Sequence, residues 1–167
     1  MKDNQVAAAL DPAGAQHQLQ SNPPQRILVV DEDRDLCRLY TEALAGPGYQ
    51  VTSAEHGAAG WEALQLSNYQ LLITEHDLPK LTGIELVRKM RAAHMATPVV
   101  MAAARLPSDE LASNPSLQFA ATMVKPFTID VLLATVKQIL RATVSDREVI
   151  APLPDRGSQP SAIRWKL

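Results

Sequence analysis

Three acids and one lysine stand directly after apolar runs. Asp31 and Glu32 follow Ile27-Leu28-Val29-Val30, Glu75 follows Leu71-Leu72-Ile73-Thr74, and Lys125 follows residues 120–124. Brought to one place, the carboxylates repel one another, and something has to offset that. A divalent cation with oxygen ligands does so. Mg²⁺ accepts a site of few carboxylates completed by water. Lys125 is the second counter-charge. Strand ends are often polar, and any one of these acids taken alone is an ordinary solvated residue. Their recurrence at different strand ends points to a site.

A sheet is needed to bring them together. The run 27–30 is apolar throughout, as for a strand buried on both faces. Leu36, Leu39, Tyr40, Ala43 and Leu44 then recur at helical spacing, with Asp33 as the expected cap and Gly46-Pro47-Gly48 as the stop. Residues 50–54 read as a strand, 58–66 as a helix opened by Gly57, and 71–74 as a second buried strand. Residues 83–92 read as a helix with Ile84, Val87 and Met90 inward. Pro98 suits the first position of a fourth strand, 98–102. Residues 107–113 form a short helix that Pro115 blocks. A fifth strand over 120–124 and a helix over 128–141, with Leu132, Val136, Ile139 and Leu140 on one face, complete the pattern. That last helix has an apolar stripe that can continue towards Val149.

Strands alternating with helices imply a parallel sheet covered on both sides, and right-handed crossovers make it doubly wound. Ligands in such folds bind beyond the carboxyl ends of the strands. Asp31, Glu32, Glu75, Ala103 and Lys125 all fall there.

In order and spacing, four segments resemble the receiver domain of bacterial response regulators. They are Ile27 to Asp33, Leu71 to Pro79 with Thr82-Gly83, Thr97 to Met101, and Val124-Lys125-Pro126-Phe127. The resemblance covers about residues 26–141 and implies a flavodoxin-like, five-stranded α/β/α sandwich. It also implies roles. The family's phosphoacceptor aspartate lies four residues before the loop proline, which here is Glu75. The acid pair that holds Mg²⁺ matches Asp31 and Glu32, and a third contact comes from the backbone carbonyl of Asp77. The lysine matches Lys125, and the Lys125-Pro126 bond is expected to be cis, which an X-Pro bond tolerates.

Three functional positions depart from the family pattern. The phosphoacceptor is Glu75, the hydroxyl residue ending the fourth strand is Ala103, and the aromatic switch three residues before the lysine is Thr122. One extra methylene moves a carboxylate by roughly 1–1.5 Å, and a misplacement of about 1 Å can cost about a hundredfold in rate. Ala103 has no hydroxyl for a phosphoryl oxygen, and Thr122 is too small to act as a swinging ring. Two consequences are open. Glu75 either imitates the phosphorylated state by pushing negative charge towards Lys125, or pairs with Lys125 and holds one fixed shape. Ala103 favours the second.

Other residues are expected to be structural. His76 reads as a solvated loop histidine and Asp77 as a side chain turned away from the acid pair. Gly57 reads as a turn residue needing positive φ, and Cys37 as packing. His17, His56 and His94 have no metal-ligand spacing.

The bulk properties bound the rest. The chain has 167 residues, 46% apolar and 20% charged, with a net charge of −2. That is globular composition, with no basic field for nucleic acid or anionic lipid. A single cysteine excludes an internal disulfide and fits a reducing compartment, and no apolar run is long enough for a bilayer. Residues 1–25 and 145–167 read as flexible tails flanking a receiver domain over 26–144. The last residues, Ile163-Arg164-Trp165-Lys166-Leu167, are either a disordered end or a docking peptide.

The reading is therefore a cytoplasmic, non-enzymatic interaction module of bacterial signalling, independent of phosphorylation, with weak Mg²⁺ binding. Its expected partners are a histidine kinase or a downstream effector, bound on the face of the fourth helix, fifth strand and fifth helix, with homodimerisation through the last helix as a further expectation. The alternative is a phosphorylatable single-domain regulator. An enzyme such as a small phosphatase finds no strand-end nucleophile, Gly-rich phosphate loop or triad here.

Overall fold

The computed structural model describes residues 23–149, with side chains to Val144. Its elements run β1 (Arg26–Val30), α1 (Arg34–Ala45), β2 (Gln50–Ala54), α2 (Gly57–Leu66), β3 (Leu71–Thr74), α3 (Gly83–Ala92), β4 (Val99–Ala103), α4 (Ser108–Ser113), a 3₁₀ turn (Pro115–Leu117), β5 (Ala121–Val124) and α5 (Ile129–Val149). The sheet order is β2-β1-β3-β4-β5, parallel throughout. This is the expected doubly wound architecture. Among the described residues no helix is long and apolar enough to cross a membrane.

The inner strands explain the continuous apolar runs. Leu28, Val30, Leu72, Val99 and Met101 pack under α2 and α3. Ile27, Val29, Leu71, Ile73 and Val100 pack under α1 and α5, against Tyr40, Leu44, Leu132, Val136 and Leu140. Each fully buried aliphatic side chain contributes about 1.5–3 kcal/mol. The edge strand β5 instead alternates, with Met123 buried and Thr122 and Val124 exposed.

Local chemistry sets the element ends. Asp33 caps α1 through the backbone N–H groups of Asp35 and Leu36, as expected. Pro98 stands just before β4, where its missing N–H costs nothing while its carbonyl accepts from Leu72 at 3.0 Å. Thr82 and Glu85 form a reciprocal capping box on α3, a device the Thr-x-x-Glu spacing announces.

Several expectations need correction. Leu39 is 46% exposed; the inward stripe of α1 is Cys37, Tyr40 and Leu44, because the helix presents only one narrow face to the sheet. Among the glycines of the described residues only Gly48 has positive φ. Gly57 is needed for a different reason: a Cβ there would lie 1.9 Å from the Leu81 carbonyl oxygen. The last helix runs to Val149, the extension its apolar stripe allowed, so the tail boundary at 145 falls inside the helix. The rest of that tail, including Ile163 to Leu167, and residues 1–22 lie outside the described residues, as does His17.

On the far side of the sheet, α4 has no buried residue. What holds this region is Arg91 of α3. Its guanidinium donates to the carbonyls of Met95 (2.7 Å), Thr97 (3.0 Å), Leu117 (3.0 Å) and Gln118 (3.2 Å). One cation thus gathers the end of α3, the entry to β4 and the 3₁₀ turn.

Candidate functional site

The sheet ladder carries three of the candidate residues to the same edge. The Asp31 N–H donates to Ala54 O, the Glu75 N–H to Val30 O, and the Lys125 N–H to Ala103 O. Asp31 and Glu75 therefore emerge side by side at the carboxyl ends of β1 and β3, and Lys125 reaches them from the end of β5, across β4. Lys125 Nζ lies 2.5 Å from Asp31 Oδ2 and 2.6 Å from Glu75 Oε2. The side chains of Lys125, Asp31 and Glu75 are 15%, 5% and 8% exposed.

Each carboxylate also uses its second oxygen. Asp31 Oδ1 accepts from the Asp33 N–H at 3.1 Å, and Glu75 Oε1 from the His76 N–H at 2.7 Å. Burial alone would lower the pKa of the Lys125 ammonium. The hydrogen bonds and charges of Asp31 and Glu75 outweigh burial and hold it above the ordinary lysine range. Beneath the site the Cys37 thiol donates to Asp31 O at 3.3 Å. Its pKa is pushed up to about 11, first by burial and then by the Asp31 charge. A protonated, buried thiol is packing and not a nucleophile.

The other predicted residues divide. The Lys125-Pro126 bond is cis. Ala103 is fully buried. Thr122 is exposed on the outer face of β5, and Glu32 is exposed. The Asp77 side chain is 77% exposed, turned to solvent as expected. His76 is a correction: its side chain is only 15% exposed, and Nδ1 is buried with no hydrogen-bond partner. The tight turn after β3 draws it in, because Gly83 N–H and Leu78 N–H both donate to His76 O. Gly83 permits that turn, since a Cβ there would lie 2.1 Å from Glu75 O.

Sequence reasoning did not anticipate His56. Its Nδ1 accepts from Ala59 N–H and caps α2, and its Nε2 lies 2.9 Å from Lys80 Nζ. Its position immediately before the helix-opening Gly57 was the available signal.

The donor set suits a hard cation in type, because carboxylate oxygens are the ligands Mg²⁺ prefers. It is thin in number. Among the described residues no three His, Cys, Asp or Glu side chains are grouped as a metal site requires. Two carboxylates converge, and Lys125 already supplies one positive charge between them.

Comparison with known proteins agrees with this architecture. Residues 27–137 match the family model for the response regulator receiver domain. The chain is 30% identical over 124 residues to the uncharacterized transcriptional regulatory protein YkoG of Bacillus subtilis, covering 74% of this chain and 54% of that one. It is 32% identical over 117 residues to the response regulator ArlR of Staphylococcus haemolyticus, covering 69% and 52%. It thus spans about half the length of the curated relatives it matches. Among solved structures, the receiver domain of a putative LuxO repressor protein from Vibrio parahaemolyticus superposes with a TM-score of 0.71 at 22% identity, over 77% of this chain and 99% of that one. The response regulator TrrA of Thermotoga maritima, in complex with Mg²⁺-BeF, gives 0.62 at 27% identity, over 69% and 98%. By the matched domain, the sheet order and the acid–lysine corner, this chain belongs to the response regulator receiver family.

Proposed function

We propose that this receiver domain works in two-component signalling as a protein-interaction module held in one state, without a phosphorylation switch. The observation that carries the reading is the Glu75–Lys125–Asp31 bridge. Phosphoryl transfer to a receiver depends on a placed acceptor and on charge neutralisation around it. Here the acceptor-equivalent Glu75 already spends one oxygen on Lys125 and the other on the His76 N–H. Ala103 offers no hydroxyl to a phosphoryl oxygen, and Thr122 carries no ring. A ligand shifts a two-state equilibrium only through differential contacts with the two states, and these are the contacts that are missing.

Mg²⁺ binding belongs to the same proposal and is weak. Asp31, Glu75 and the Asp77 carbonyl would hold the ion, with Glu32 reaching it through solvent. Its chemistry there would be to offset carboxylate repulsion, a task Lys125 already shares. The partner, a histidine kinase or downstream effector inside the cell, would dock on the face of α4, β5 and α5. Support for that face is that α4 buries nothing, while Val124 and Val131 are 54% and 48% exposed. Both valines are available to a partner that approaches this face.

The retained acid, lysine and cis-proline keep a second reading alive, a phosphorylatable single-domain regulator. Intact mass after incubation with acetyl phosphate and Mg²⁺ decides between them, with Glu75→Asp beside the wild type. An unmodified wild type and a phosphorylated variant support the single-state module. A phosphorylated wild type overturns it. If neither gains mass, acceptor loss is not the whole cause, and Ala103→Thr combined with Glu75→Asp is the next test.

A further inference from the structure

Two surfaces of the domain could take a peptide. One is a groove of about 600 Å³ at the amino ends of the strands, bordered by Gln25, Ser67, Asn68, Gln70 and Thr97. These bordering groups are neutral. The other is the outer face of β5 beside α4. By register Thr122 pairs with Met101 and Val124 with Ala103, so both side chains lie on the sheet face that α2 and α3 cover further along. At this end the cover is α4, six residues long with none buried. Leu106 and Leu111 reach the core only in part. On α4 and the loop before it the exposed charges are Asp109 and Glu110 against Arg105, and Asp130 at the start of α5 adds a third acid.

The chain itself carries a segment of complementary chemistry. Ile163-Arg164-Trp165-Lys166-Leu167 alternates apolar and basic side chains. Its alternation matches an extended peptide that sets apolar groups on one side and cations on the other. Reach allows the contact. From its start next to β5, α5 runs 21 residues, which is about 31 Å at 1.5 Å per residue. Residues 150–162 then span up to about 43 Å when extended, enough to return to the level of β5.

We infer that Ile163–Leu167 docks in cis on the exposed face of β5 and α4, with Trp165 against Val124 and the two cations facing Asp109 and Glu110. The tethered segment then competes with any partner for that face. A short tether gives an effective concentration in the millimolar range, so a partner must displace the segment before it binds. This inference rests on the reading of the α4–β5–α5 face as the partner surface. The neutral groove is disfavoured because it offers Arg164 and Lys166 no counter-charge.

The test is a set of amide ¹H–¹⁵N spectra of the full chain as wild type, Trp165→Ala and Val124→Lys. Val124 is half-exposed, so its substitution leaves the core intact. Expected results are shifts at 106–111 and 121–124 on Trp165→Ala, and reciprocal shifts at 163–167 on Val124→Lys. Trp165 should also be severalfold less accessible to acrylamide in a Trp61→Phe background than in the free pentapeptide. Shifts confined to the tail overturn the inference. Shifts at 67–70 and 95–98 place the segment in the neutral groove and also overturn it. Shifts that vanish on dilution assign the contact to a second copy, again overturning docking in cis. Phosphorylation of the wild type by acetyl phosphate would leave these spectral results standing while removing the single-state reading.

Discussion

The two sides of the sheet differ sharply in how firmly they are built. Around β1 and β3, strands are buried on both faces, helices α1 and α3 carry side-chain caps, and two carboxylates share one lysine. Around β5, the strand is half exposed and α4 is short, without a side-chain cap and without a buried residue. The acidic corner is on the firm side, with Lys125 reaching across to it. At positions 103 and 122, to which the proposed function assigns the relay from that corner to the surface, stand an alanine and an exposed threonine. Charge balance at a buried site is enforced by stability itself, because an unpaired buried charge is costly.

The largest test of this contrast is Lys125→Met. It leaves Asp31 and Glu75 facing each other without their cation, and breaking a buried pair of this kind costs about 3–5 kcal/mol. Urea unfolding at neutral pH should show that loss, and millimolar Mg²⁺ should return part of it. A cost below about 1 kcal/mol would mean that the bridge is not what holds this corner.

Arg91→Met comes next. Four carbonyls lose a charged donor, and bonds to charged groups contribute about 1.5–3 kcal/mol each in favourable cases. Because the arginine is partly solvated and its carbonyls can find water, the expected loss is about 2–3 kcal/mol in all. Amide exchange should quicken at residues 95–97 and 117–118 before it does so in β1. Uniform quickening would contradict the picture of a separately stapled β5 side.

Alkaline pH should act on the firm side. The folded pKa of both Lys125 and Cys37 is raised. Stability from a raised group is fully present below its unfolded value and is lost as pH rises through the folded one. The decline should therefore begin near the ordinary thiol value of 9.0 and continue past about 11. Cys37→Ala should remove the early part and leave the lysine part. A melting temperature flat between pH 8 and 11 would sink this assignment.

The smallest effect is expected at Val124→Ser. Surface substitutions away from special features usually stay within about 0.5 kcal/mol, and Val124 is 54% exposed. The same exchange at Val29, 1% exposed, should cost several times more. Equal costs would show that β5 is better covered than its exposure indicates.

Legibility followed the same division. The buried strands and the capping Asp33 were readable because each depends on local pattern or neighbouring residues, whereas the cis Lys125-Pro126 bond followed from the resemblance to receiver domains. The inward face of α1 was misread at Leu39, since periodicity locates a stripe but not its width. His76 was misread as solvated because its burial comes from a turn closed by Gly83 and Leu78. Arg91 carried no local signal: its partners at 117 and 118 lie 26 and 27 residues away.

What the sequence by itself determined is the set of elements, their order and the residues at the strand ends, because hydrophobic period and strand-end position are local properties. It also determined that Glu, Ala and Thr stand at positions 75, 103 and 122, since a residue's identity needs no coordinates. Only the tertiary structure decided that Lys125 bridges Asp31 and Glu75 together while Glu32 stays in solvent. That choice rests on strand register, which sets ångström distances between residues as far apart as 31 and 125.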